Sequence, residues 1–307
     1  LVIVFLSEES DKSLCRQALV GVLEDTAGFH ARATVDDYAR ACSEAVDSAL
    51  REWPIAETTA HAIVSTGFVG TNVLRSTLWT QSFDVATPKE EESNDDANGG
   101  AKPLLPLDDL LSNLKDLFLS EDSFKHAKEW DSTFEDAKIV KRFSDKDILV
   151  HWKFKASPLS GRDMLYIVTE LHEEGPPPSK SNPNDNEGSD QWVDRWMYAY
   201  ASVSDDWAKN PSGEDSVGSI EIEDGGKRVR ALNCFPSCDR ITAYRDGQGR
   251  AKVQLDHLMT TDVGGWIGPL CFNNLFKKAL IQANAHESEA MREYALLLCQ
   301  SKKEKQK

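Results

Sequence analysis

Long hydrophobic runs are missing from this chain. No unbroken apolar stretch exceeds six residues, those at 1–6 and 294–299 among them, whereas a bilayer-spanning helix needs roughly 18. No transmembrane helix is expected. Basic charge is also scarce: 35 Lys and Arg face 51 Asp and Glu, a net charge of -16. Such a surface repels a phosphate backbone, so nucleic acid is not expected as a partner. Cysteine is sparse, with six thiols (Cys15, Cys42, Cys234, Cys238, Cys271, Cys299) scattered over 307 residues. A chain of this size needs no disulfide staples, and the pattern points to reduced thiols and an intracellular, cytoplasmic location. No Asn-x-Ser/Thr glycosylation acceptor occurs, since Pro211 follows Asn210, which agrees with that location. Opening on Leu1 rather than Met leaves room for a targeting segment upstream.

Signatures of catalysis are absent too. The sequence holds no GxSxG elbow, no GxxxxGK(S/T) phosphate loop and no HExxH pair, and Gly247-Gln248-Gly249 lacks the third glycine of a dinucleotide fingerprint. Cys234 and Cys238 bracket Pro236 without a second Cys/His pair at ligand spacing, so inert thiols are expected rather than zinc. The polar run 184–188 resembles a calcium loop in composition, but no register puts Gly188 at the sixth position. Neither metal nor cofactor is expected.

What is present is an ordinary soluble globular composition, 40% hydrophobic and 28% charged. The acidity is local. Residues 84–100, 173–190 and 205–224 together carry fifteen of the sixteen net negative charges. All three are rich in Gly, Ser, Asn and Asp and suit solvated loops on a nearly neutral domain.

Helical period appears at Leu14, Ala18, Leu19 and Val22, and again from Thr34 through Tyr38, Cys42, Ala45, Ala49 and Trp53 to Pro54. Residues 62–86 read as short strands. A helix pair follows, Leu107 to Phe118 and then Phe124, Ala127 and Trp130. Ile148, Val150, Trp152 and Phe154 alternate with His151, Lys153 and Lys155, the period of a half-buried antiparallel strand. Residues 164–169, 192–203, 227–233, 239–245 and 251–262 are further strand candidates, with Asp246-Gly247 as a hairpin turn. Gly268-Pro269 then opens a helix of about 30 residues, roughly 45 Å long. An antiparallel sheet followed by so long a helix predicts an α+β fold in which the sheet curls around the helix.

Three stretches in order, WDSTFEDAKIVKR (130–142), SPLSGRDMLYIVT (157–169) and AKVQLDHLMTTDVGGWIGPLCFNN (251–274), resemble the START family of lipid-binding and lipid-transfer domains. That resemblance implies a helix-grip fold, a curved antiparallel sheet around the C-terminal helix with an internal hydrophobic tunnel. It implies a START-like lipid-binding domain over 34–300 with an acidic insertion at 84–106, an N-terminal helical extension at 1–33 and a basic tail at 301–307. Residues 204–217 look like the family's loop at the tunnel mouth. Arg162-Asp163 matches the family's Arg-Asp pair, while Val168 stands where several relatives carry a cavity-facing Arg. An uncharged or weakly polar ligand therefore fits better than a phosphate headgroup.

Period two then puts Arg162, Met164, Tyr166 and Val168 on one strand face. Trp196, Tyr198 and Tyr200 share another, and Val253, Leu255, His257 and Met259 a third. Arg162, Met164, Tyr166, Val168, Trp196, Tyr198, Tyr200, His257 and Met259 are the candidate ligand-binding residues, with Arg162 favoured as a structural ion pair at the tunnel's end. The implied activity is non-enzymatic: binding of a sterol, carotenoid or phospholipid and its transfer between membranes, with transient contact to the membrane surface. Two other readings stay open. One is a helix-grip enzyme of cyclase or hydrolase type using His257 or Tyr166 as general acid or base. The other is a ligand-sensing or structural subunit whose acidic loops dock a protein partner.

Overall fold

The computed structural model describes residues 35–69, 75–86, 105–155, 161–175, 191–203, 228–245, 251–262 and 275–306. The helix expected around Leu14, the polar run 184–188, the mouth loop 204–217, the Asp246-Gly247 turn and the helix opening at Gly268-Pro269 lie outside these residues.

Helix α1 (Val35–Glu52) carries Asp36 and Asp37 in its first turn and Arg51 in its last, the order that complements a helix dipole. Tyr38, Cys42, Ala45 and Ala49 are buried, as their spacing predicts. Strands β1 (Ile55–Thr58), β2 (Ala62–Gly67) and β3 (Ser76–Ala86) follow. Gly67 lies so close to the Trp53 indole that an added Cβ would stand 2.4 Å from the ring, so only glycine lets the strand end pass under it.

The short strand β4 (Leu105–Pro106) leads into α2 (Leu107–Leu119) and α3 (Glu121–Lys125), then a 3-10 turn at Ala127–Glu129. Six further strands are β5 (Phe134–Arg142), β6 (Asp147–Phe154), β7 (Arg162–Glu174), β8 (Gln191–Ser202), β9 (Val229–Arg230) and β10 (Leu232–Asn233). Then come β11 (Cys238–Arg245), β12 (Ala251–Met259), β13 (Thr261–Asp262) and the terminal helix α4 (Leu275–Gln306). The main sheet runs β1-β2-β3-β12-β11-β8-β7-β6-β5. Every neighbouring pair on this path is antiparallel, and the two parallel pairings, β3 with β4 and β7 with β9, are short. The sheet is not closed into a barrel: this is an α+β fold with the long helix held in a curved sheet. No described helix is long and apolar enough to cross a membrane.

Besides the two-residue β4, two strands escape the sequence reading. β1 is exposed along its length and β5 follows no clean alternation; both are edge strands, which need no apolar face on each side. The expectation for β6 also needs revision. Its face carrying His151 is not solvated: Leu149 and His151 are 0% and 1% exposed, with Leu149 in the apolar layer under α1 and His151 bonded to Asp163.

The sheet thus has two covered faces. On the outer face α1 packs over β7, β8 and β11, closing a core of Leu149, Leu165, Ile167, Met197, Ala199 and Leu258. On the inner face lie α2 and α4. The backbone of α4 approaches β1, β2, β3 and α2 closely, and no comparable approach to β5 through β8 occurs among the described residues. Polar clamps hold it there: Arg292 donates to the Ser82 carbonyl at 2.8 Å, and Glu289 meets His61 at 2.8 Å and the Thr59 hydroxyl.

Candidate functional site

The inner face of the sheet is not covered evenly. On β7 and β8 the inward residues Met164, Tyr166 and Tyr200 keep 8–9% of their surface, and His257 on β12 keeps 8%; their outward neighbours Leu165, Ile167, Ala199 and Leu258 keep none. At these positions the inner face is covered less tightly than the outer. Met259 is partly buried against the same cluster.

Beside these residues polar groups converge. Register pairs Asp239 on β11 with His257 on β12, and Asp239 with Tyr198 on β8. His257 Nδ1 lies 2.7 Å from Asp239 Oδ1, and the Tyr200 hydroxyl donates to Asp239 Oδ2. The His257 ring stacks on Trp79, centroids 5.0 Å apart, and Tyr200 meets Tyr166 edge-on at 5.7 Å. From α4, Glu287 enters the field of this group.

Electrostatics distinguishes the members. Burial opposes a charge on His257, but Asp239, through its charge and its hydrogen bond, outweighs that and raises the imidazole to about 9. Burial raises the Glu287 carboxyl to about 7, with His257 pulling it down and Asp131 and Asp239 pushing it up. Desolvation, with Asp239 nearby, lifts the Tyr166 and Tyr200 hydroxyls well above their ordinary value. At neutral pH the group therefore includes an imidazolium and a carboxyl near its midpoint.

The other sequence candidates are placed differently. Val168, Trp196 and Tyr198 share the inner face, but Val168 and Tyr198 are closed off at 1% and 0%. Tyr198 stacks under Phe118 of α2 at 4.9 Å. Trp196 lies between Lys115, 4.1 Å from its ring centroid, and His172, stacked at 4.7 Å. Arg162 is buried at 2% at the start of β7, beside β9. Its neighbour Asp163 faces the other way and meets His151 and Arg230 at 2.9 and 3.1 Å. Sequence reasoning looked for a buried cation at position 168; the raised imidazole of His257 supplies one from another strand.

Asp239, Glu287 and Trp79 were missed. Reading the two strands around Asp246-Gly247 as a hairpin with Arg245 opposite Ala251 would have put Asp239 across from His257. Glu287 had no such signal, since a lone acid on a polar helix looks solvated. Gln81, two residues beyond Trp79 on the same strand, is 2% exposed with neither amide atom paired among the described residues. An open depression on the outer surface, lined by Leu119, Glu121, Ile139 and Arg142 among others, lies apart from this cluster.

No protein-family model matches the chain, and no curated protein matches it in sequence. Solved structures do match in shape. Human STARD10 superposes with a TM-score of 0.50 at 14% identity, over 85% of this chain and 81% of that one. Human StAR-related lipid transfer protein 5 gives 0.49 at 12%, over 84% and 97%. The lipid transfer and protein localization domain of human StarD13 gives 0.44 at 15%, over 81% and 92%. The architecture is a START-like helix grip, and at these identities the likeness extends to the fold alone.

Proposed function

With a START-like helix grip as the frame, we propose that this protein binds one hydrophobic ligand between α4 and strands β7, β8 and β12, and carries it between membranes. The accessible surface kept by Met164, Tyr166, Tyr200 and His257, beside outward neighbours that keep none, is the observation that carries this reading. Met164, Tyr166, Tyr200, His257 and Met259 would form the wall. Val168, Trp196 and Tyr198 would back it, and Arg162 would brace its end. Burying a 16-carbon chain yields roughly 13 kcal/mol at about 0.8 kcal/mol per methylene, enough to draw a lipid from water before ordering costs. The described cysteines Cys42, Cys234, Cys238 and Cys299 are free thiols, which suits an intracellular site of action.

A second reading is favoured by one observation. His257 is oriented by Asp239 at 2.7 Å, the arrangement of an acid-base catalyst. With its imidazole raised to about 9, it would act as an acid at neutral pH rather than as a base. Native mass spectrometry of the purified chain with fluorescent sterol, carotenoid and phospholipid probes tests both readings. The carrier predicts saturable one-to-one binding of unaltered ligand. Chemically changed ligand would replace it with the enzyme, and no binding by any probe would sink both.

A further inference from the structure

We infer that the amide of Gln81 on β3 is the polar anchor of the ligand site and pairs with a planar head group that accepts and donates side by side. That chemistry belongs to a long-chain carboxylic acid holding its proton or to a long-chain primary amide. This rests on the ligand-binding reading above and deepens it. Trp79, Phe83 and Val85 line the inner face of β3, and period two puts Gln81 in the same row. Ala62 of β2 and Leu255 of β12 stand opposite it on either side, both buried. Neither atom of the Gln81 amide, nor the Trp79 indole N–H, has a hydrogen-bond partner among the described residues, although both side chains are shut from solvent. Buried polar groups in that condition are costly until something pairs them. His257, diagonal to Gln81 across the β3–β12 ladder, stacks on Trp79 at 5.0 Å and keeps part of its surface, so the amide borders the proposed wall. What pairs it enters beneath α4, which lies over β3 and is tied there by Arg292 to the Ser82 carbonyl.

The amide itself selects the partner. Gln holds a donor and an acceptor in one plane, and it is answered in full by a group with the same arrangement reversed, as when a Gln side chain pairs bidentately with a base edge. A carboxamide or a protonated carboxyl does this whichever way the Gln81 amide is turned, and its carbonyl keeps a lone pair for the Trp79 N–H. A lone hydroxyl brings one oxygen to two atoms, and an ester or a dialkyl amide brings no donor. A site built for a donor rejects analogues that lack it. Trp79, Phe83, Ala62 and Leu255 carry no charge, and the His257 imidazole is already bonded to Asp239 at 2.7 Å. An ionised head group would therefore lose its water without gaining a counter-ion, and an acid binds here with its proton.

The test is uptake from phosphatidylcholine vesicles by the full chain at about pH 5, where a buried carboxyl keeps its proton. Hexadecanamide is measured against N,N-dimethylhexadecanamide, hexadecanoic acid against its methyl ester, and hexadecanol and cholesterol alongside. Wild type should prefer the amide or the acid over its capped analogue and over hexadecanol by roughly tenfold to hundredfold, the range for two neutral hydrogen bonds made or left unmade. A preference in one pair alone supports the inference and assigns the head group to an amide or to an acid. Gln81→Leu removes donor and acceptor together and should bring the preference within about twofold. Because the Gln81 amide has no described partner to strand, the urea midpoint of the unliganded variant should stay level or rise. A midpoint that falls makes Gln81 a structural residue and overturns the inference. So do equal uptake of capped and uncapped probes, hexadecanol taken up as well as the amide and the acid, a preference that survives Gln81→Leu, or uptake of cholesterol or phosphatidylcholine alone; each of these leaves the carrier standing. No uptake of any lipid overturns both.

Discussion

Two neighbouring rungs of the same ladder carry ion pairs on opposite faces of the sheet. Asp239 pairs in register with His257, and Arg240 with Asp256. On the outer face Arg240 is closed in completely: Nε and Nη2 each lie 2.9 Å from Asp256, and Nη1 reaches Asp47 and the Ser43 carbonyl of α1. Asp256 also accepts from Thr80 at 2.6 Å and Gln254 at 2.8 Å. On the inner face Asp239 holds only the His257 imidazole and the Tyr200 hydroxyl among the described residues. A satisfied buried network fastens α1 to the sheet. The inner cluster keeps surface that the outer one does not, His257 at 8% against Asp256 at 0%.

The outer network should break hardest. Arg240→Met leaves Asp256, 0% exposed, without its cation, and removing one member of a buried pair costs about 3 to 5 kcal/mol. A fall of that size in unfolding free energy from urea titration is expected. Ligand selectivity in the surviving folded fraction should not change. Altered selectivity would mean that the two faces are coupled.

The inner network should reveal itself through pH. His257 is raised from an ordinary 6.5 to about 9 by Asp239, with Glu287 and Asp131 adding to the same side. A raised base contributes stability that is fully present below about pH 6.5 and lost as pH climbs through about 9. The loss is on the order of 3 kcal/mol. Urea midpoints across that window should fall in wild type and fall by clearly less in His257→Gln, where only the raised Glu287 carboxyl still titrates. Parallel curves for the two proteins would remove His257 as the titrating group.

How much of this contrast could be read from the chain depends on what sequence periodicity records. Period two assigned Met164, Tyr166, Tyr200 and His257 to one side of their strands, and all four face inward. Periodicity does not record how a helix is seated. That α4 leans toward β1–β3 depends on clamps such as Arg292 to the Ser82 carbonyl, 210 residues away in sequence. The same long-range seating puts Glu287 in the field of Asp239 and His257, so the surroundings of this acid were not legible. Arg240 was passed over for a related reason, since a lone Arg in a strand carries no mark of the acids that will enclose it.

Glu287 sharpens the comparison from the other side, because an open site should cost stability where a closed one adds it. Its carboxyl is raised from 4.5 to about 7, by burial first, so the folded state holds a proton that the unfolded state releases. Stability is therefore unaffected below about pH 4.5 and declines as pH rises to about 7. Glu287→Gln should match wild type near pH 4.5. At pH 8 it should be more stable by on the order of 2 to 3 kcal/mol, read from thermal or urea unfolding. Destabilisation by this change at pH 8 would show that Glu287 is a structural partner like Arg240.

The smallest effect is expected where neither face is touched. β3 runs to Ala86 and β4 starts at Leu105, and the two lie side by side, Val85 opposite Leu105 and Ala86 opposite Pro106. The acidic insertion read as 84–106 thus has both margins in the sheet, and its freely replaceable part shrinks to 87–104. The ends of that segment are already held together by strand pairing, so loop closure sets only a weak dependence on length, about 0.6 kcal/mol per doubling. Its sequence has no apolar periodicity with which to pack. Replacing 88–103 by eight Gly and Ser residues should leave the urea midpoint and the ligand preference within error, with any change below about 1 kcal/mol. It should also weaken any salt-sensitive capture of a basic partner that the acidic stretch supports. A loss of several kcal/mol would place these residues in a packed layer, and the sheet would then have a third buried region to set beside the two compared above.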